Sequence, residues 1–219
     1  MEGAPALTAR QTRLRPGPLP APALDFAELV AGWERLVPDI RARFAEHPCA
    51  GQPIRYGGVM QTVQSNSAGW LLAQVCRWFG TPFAPHTGTD VAVQIRLLDR
   101  GASAVEWERT YHYPNRKPVT VRSTKENDAQ LGLIERVDGG IGMHLAVFER
   151  DGALHFQSRH YFWRFGGFHV RLPRWMTPGL AHVVHTDLGK GRFRFTMTFE
   201  HPWFGTLFHQ DGMFEQVGD

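Results

Sequence analysis

Cysteine is nearly missing from this chain. Cys49 and Cys76 are the only two in 219 residues, and neither has a neighbour at the spacing of a metal or redox motif, so a disulfide scaffold is excluded. Cys76 falls within an apolar helical pattern and reads as a small buried hydrophobe. Lysine is equally scarce: Lys117, Lys125 and Lys190 are the only ones, and arginine carries the rest of the formal charge of +3. The arginines are scattered among Asp and Glu, which argues for ion-paired surfaces and against a specific nucleic-acid interface. No apolar run approaches the ~20 residues of a membrane span. Arg10, Arg13, Arg15 and several prolines interrupt the N-terminus where a secretory signal would need its apolar stretch. The cytoplasm is the expected location. Also lacking are Gly-x-Ser-x-Gly, HExxH and CxxC motifs, a P-loop, and a glycine-rich loop between a strand and a helix, so neither a cofactor nor a metal is expected.

What is there is oil and rings. The hydrophobic fraction is 42%, with seven Trp and fifteen Phe, enough for a large core in a single domain. Residues 1–24, rich in Ala, Pro and Arg without periodicity, read as a flexible tail, and residues 25–219 as one domain. Asp25 is an N-cap candidate for a helix bearing Phe26, Leu29, Val30, Trp33, Leu36 and Val37. Pro38 either kinks that helix or starts another, with Ile40 and Phe44 on its apolar side and His47-Pro48 as its end. A strand follows over Ile54–Gln64, with Gly57-Gly58 as a bulge or a point of close backbone approach. Ser65-Asn66-Ser67 caps a further helix whose buried stripe is Trp70, Leu71, Val75, Trp78 and Phe79, ending at Gly80.

Beyond Gly80 the period changes to two. Val91, Val93, Ile95 and Leu97 alternate with polar residues. After the Asp99-Arg100-Gly101 turn, Val105, Trp107, Arg109 and Tyr111 share a face opposite Glu106, Glu108, Thr110 and His112. Further turns sit at Asp138-Gly139-Gly140, Asp151-Gly152 and Gly189-Lys190-Gly191, the last followed by Phe193, Phe195, Met197 and Phe199 on one face. The expected class is therefore α+β: a curved, mainly antiparallel sheet, with a barrel as one way of closing it, packed against N-terminal helices.

Histidine is plentiful, with 11 residues, yet His182-x-x-His185 lies in a predicted strand, where residues three apart point to opposite faces and cannot chelate together. The informative polar residues are those in phase with apolar ones: Trp107 and Arg109 on one strand, and Ser158, His160 and Arg164 with Phe156 and Phe162 on another. Charges on an interior face must be paired or must meet a ligand. On one reading Arg109 and Arg164 form ion pairs with residues such as Glu200 or Asp187. On the other, Arg109, Arg164, Ser158 and Trp107 form the polar floor of an apolar cavity for a small hydrophobic or carbonyl-bearing organic molecule. For acid–base work the candidates are His160, Glu106 and Tyr111, with Glu108 and His112 beside them. The two functions that follow are a cofactor-independent isomerase or cyclase, and a non-catalytic module docking on a protein partner.

Leu36-Val37-Pro38-Asp39-Ile40-Arg41-Ala42-Arg43-Phe44, the Trp107-x-Arg109 strand, and Gly191-Arg192-Phe193-Arg194-Phe195 followed by His201-Pro202-Trp203-Phe204-Gly205 together resemble the bacterial domain of unknown function DUF4166. The resemblance covers nearly everything from about residue 36 onward. Members occur alone or at the C-terminal end of reductases resembling saccharopine dehydrogenase, which implies a reductase as a candidate partner. It carries no established catalytic residues to transfer.

Overall fold

The computed structural model describes residues 21–76, 84–165 and 168–218. Three short helices, α1 (Phe26–Leu29), α2 (Pro38–Ala45) and α3 (Ser67–Cys76), accompany eleven strands. These are β1 (Ile54–Ser65), β2 (Gly88–Asp99), β3 (Ala104–His112), β4 (Val119–Asp128), β5 (Gly132–Arg136), β6 (Ile141–Arg150), β7 (Ala153–Phe165), β8 (Phe168–Arg171), β9 (Leu180–Gly189), β10 (Arg192–His201) and β11 (Gly205–Gln216). The strands pair in the order β6-β5-β4-β3-β2-β1-β11-β10-β9-β7, and a β6–β7 ladder joins the two ends. The sheet is thus a closed antiparallel barrel of ten strands, and β8 is an arm hydrogen-bonded to β7 outside the ring. Closure pairs the edges of the ring everywhere except where β7 runs past β9.

Period-two patterning builds the wall. Val91, Val93, Ile95 and Leu97 of β2 are all buried, as are Phe193, Phe195, Met197 and Phe199 of β10. The Gly189-Lys190-Gly191 turn places both glycines and Lys190 at positive φ, the backbone a tight hairpin demands. Gly58 faces inward on β1 and is a point of close approach: a Cβ there would stand 2.1 Å from the Met213 carbonyl oxygen and 2.5 Å from the Phe214 ring. The strand's irregularity falls instead between Met60 and Thr62. Gly58→Ala is expected to cost about 1–3 kcal/mol through forced displacement of β11, read as a lower urea midpoint with an unchanged slope.

The N-terminal segment departs from one long helix. Asp25 Oδ1 caps α1 by accepting from Ala27 N at 2.8 Å, but the helix stops after four residues. Ala31 is captured by β6, donating to the Val147 carbonyl and accepting from Glu149 N, and Gly32 turns left-handed at φ 89°. Pro38 then opens α2 at its first turn. Phe26 and Phe44 meet edge to face at 5.3 Å and both rest on Phe156. These two helices therefore lie at the barrel end where the β2–β3 and β6–β7 turns gather. The chain is already anchored there at Ala23 and Leu24, the end of the expected tail, through bonds from Asn127 and to Ala102.

At the opposite end, Asn66 caps α3 by accepting from Gly69 N at 2.8 Å. The expected stripe is corrected: Trp70, Leu71 and Val75 are exposed, while Gly69 and Ala73 face the wall. The helix is pressed so closely on β11 that a Cβ at Gly69 would stand 1.9 Å from the Leu207 carbonyl oxygen, and only small residues permit that contact. Trp78, Phe79 and Gly80, and the Cys76 side chain, lie outside the described residues. Among the described residues no helix is long and apolar enough to cross a membrane.

Candidate functional site

β3, β4 and β5 carry polar side chains into the barrel. Register places Arg109 opposite Ile95 and Val121, Trp107 opposite Leu97 and Ser123, and Lys125 opposite Val105 and Glu135. Arg109, Ser123, Lys125 and Glu135 are all buried. Lys125 Nζ lies 3.1 Å from Glu135 Oε2 and 4.7 Å from the Trp107 ring centre. Arg109 Nη2 donates to Ser123 Oγ at 3.0 Å, and the Ser123 hydroxyl also favours the ionised form of Glu135. Arg109 Nε has no partner among the described residues. Two cations thus share one carboxylate in a region that water hardly reaches.

The electrostatics follow from that count. Burial pulls the Lys125 ammonium below its ordinary range, and Arg109 adds to the effect, against the attraction of Glu135. Burial alone would raise the Glu135 carboxyl, but Lys125, Arg109 and Ser123 outweigh it and hold the group below the usual carboxylate value. From β9, His185 enters the same interior among the rings of Phe44, Phe195 and Phe193 at 5.0, 5.2 and 5.9 Å. Burial, reinforced by Arg43, Lys125 and Arg109, keeps it neutral, well below 6.5, and its Nδ1 has no partner among the described residues. At the helix-covered end, Arg43 stacks on Phe193 at 4.0 Å, with Asp187 as its nearby carboxylate.

Of the residues singled out in the sequence, the interior unites Trp107, Arg109, Tyr111 and Ser158. Tyr111, wholly buried, donates to Gln210 Oε1 at 2.9 Å, and burial pushes its phenol up. Ser158 accepts from Ala181 N at 2.9 Å. Glu106 stands on the outer wall in a ladder with Glu108, held by Arg100 at 2.8 Å and Arg122 at 3.8 Å, with Arg96 and Arg122 on Glu108. His160 and Arg164 also leave the face they were expected to share with Ser158. Register slips between His144 and Leu145, leaving Arg159 as the extra residue of β7. A one-residue slip exchanges the faces: Tyr161 turns inward with Ser158, and His160, Phe162 and Arg164 turn out. Arg164 pairs there with Asp128 at 2.8 Å and Glu126 at 3.7 Å, not with Glu200 or Asp187. As expected of a strand, His182 and His185 occupy opposite faces, His182 lying 3.0 Å from His155.

The slip also opens the wall. β7 pairs with β9 only from Leu154 to Gln157. Beyond that point a cleft of about 530 Å³ separates them, floored by Ser158, Tyr161, Thr177 and His201 and rimmed by Arg171 and Arg174. Tyr161 joins cleft to cluster: its buried phenol, raised by desolvation, feels the charge of Glu135. Lys125 and Glu135 were missed from sequence, and His185 was weighed there only as half of a chelating pair, although Lys125 keeps phase with Val121 and Ser123, and His185 with Ala181 and Val183.

Residues 36–214 match the model of a family described as a domain of unknown function, DUF4166. No curated protein and no solved structure matches the chain.

Proposed function

The chain belongs to the DUF4166 family, and from that premise and the chemistry of its barrel we propose that it binds a small, largely apolar organic molecule carrying a carboxylate or an enolisable carbonyl. The carrying observation is Arg109, 3% exposed, whose one side-chain partner among the described residues is a serine hydroxyl. A buried guanidinium with no carboxylate of its own is costly unless a ligand supplies one. The β7–β9 cleft is the way in, and Trp107, Phe156 and Phe195 supply the apolar walls. Acid–base turnover of that molecule, an isomerisation or cyclisation without cofactor, is the finer reading. Neutral His185, whose Nδ1 has no partner among the described residues, can hydrogen-bond the reacting group, and Lys125 and Arg109 stand where negative charge would develop on an enolate.

A series that varies only the head group tests the reading. Aryl- or alkyl-carboxylic acids, with their primary amides and alcohols as controls, are compared by thermal unfolding. Binding to the native state raises the melting temperature by mass action, equivalent to about 2.7 kcal/mol at one hundred times Kd. The acids are expected to stabilise the protein where amides and alcohols do not, and Arg109→Met, checked as folded by circular dichroism, is expected to abolish the difference. Equal shifts across the series, or none in the wild type, would end the proposal.

A further inference from the structure

The α3 end of the barrel has an exterior unlike the rest. α3 contains no acidic residue in its first turn and no basic residue in its last, and its sequence from Ser67 to Cys76 holds no charge at all. Trp70, Leu71 and Val75 are each more than half exposed, as are Trp175 and Met176 on the single helical turn Arg174–Met176, and Phe204 on the β10–β11 turn. The two groups face one another across an apolar groove of about 300 Å³. Single exposed apolar residues need no explanation, but five lining one groove, with Trp70 next to them on α3, do.

Charge beside the groove indicates what covers it. Thr177 and His201 line both the groove and the cleft between β7 and β9, so the two form one continuous surface. His201 stacks on Phe204 at 4.9 Å. On the cleft side stand Arg159, Arg171 and Arg174, and the only carboxylate in that lining is Glu200. Tryptophan, phenylalanine and leucine set next to arginines are the chemistry of the level where acyl chains meet anionic headgroups: the rings sit at the boundary and the guanidinium groups bind phosphate.

We propose that this end of the barrel docks on an anionic lipid surface, with Trp70, Leu71, Trp175 and Met176 entering the interface and Arg171 and Arg174 meeting the phosphates. The surface requires nothing of the barrel interior, so it stands or falls apart from the ligand reading above.

The whole chain is sedimented with vesicles of phosphatidylcholine alone and of phosphatidylcholine mixed with phosphatidylglycerol. Binding is expected on the anionic vesicles, weakened by salt. Arg171→Gln and Arg174→Gln should each lower the partition coefficient about fivefold, and Leu71→Ser with Trp175→Ser about tenfold or more. All four positions are exposed or on the rim, so the variants are expected to melt like the wild type, which is measured alongside. No binding to either vesicle, or equal binding to both, overturns the proposal. So does a concentration-dependent dimer in gel filtration that Leu71→Ser with Trp175→Ser dissolves, which would assign the surface to a second copy of the chain.

Discussion

Glu135→Gln is expected to lower the unfolding free energy by about 3–5 kcal/mol, because it strips Lys125 and Arg109 of the one carboxylate they share while leaving both cations buried. Denaturant unfolding at neutral pH reads the loss directly as a fall in midpoint. The interaction itself is a poor guide to that number. Taking two charges out of water offsets most of what their attraction at 3.1 Å returns, so removing every charge of the cluster together should cost little. The double variant Lys125→Met/Glu135→Leu still leaves Arg109 buried without a carboxylate and is expected to recover only part of the loss. Adding Arg109→Met should bring the protein near the wild type, though it removes the charges the proposed ligand site uses. A loss below about 1 kcal/mol in Glu135→Gln would mean that water reaches these groups and that Arg109 is not short of a partner. Ion pairs on the outer wall, such as Arg100 with Glu106, would then be no weaker than the interior one.

Acid should destabilise the protein in two steps, and His185 sets the first. Its folded-state value lies well below 6.5 because burial and three cations disfavour the charged ring. The unfolded chain therefore takes up a proton below about pH 6.5 that the folded chain refuses. The stability held by this group is fully present above 6.5 and is lost as pH falls toward the folded value, at about 1.4 kcal/mol per pH unit. His144, His155, His160 and His182 are lowered by burial in the same direction and steepen the slope. Glu135, also depressed, adds its share only below its unfolded value near 4.5. Stability measured from pH 7 to 5 should thus fall in the wild type, and His185→Leu should remove about one proton from the slope. An unchanged slope in the variant would mean that the ring is already charged in the folded state.

Much of this was readable from alternation. Each strand whose apolar residues recur at every second position lies in the wall, and the turn residues mark where one hairpin ends. The interior pair Trp107 and Arg109 emerged from the same pattern. Carrying the phase of Val121 through Ser123 to Lys125 would have reached the cluster, but a lysine in a strand is normally a surface residue and hides its own burial. Arg159 could not be foreseen, because an extra residue in one strand is defined only by the partner it fails to oppose, and with it His160 and Arg164 changed sides. α3 failed for a different reason. A period near 3.6 says which residues share a face, and there the larger apolar face reads as the inner one, whereas the backbone of β11 admits only Gly69 and Ala73.

β7 is held along one edge by β6 for most of its length, while its other edge is divided between β9 near the start and the short β8 arm near the end. A ring of staves has one circumference, but this one has a vent. Breathing motions are expected to concentrate at that seam, where parting costs the contacts of a four-residue arm and not a full ladder. Amide hydrogens along the divided half of β7 should then exchange with solvent while those of β2 and β10 stay protected, and the proposed ligand would enter or leave without the hoop being broken.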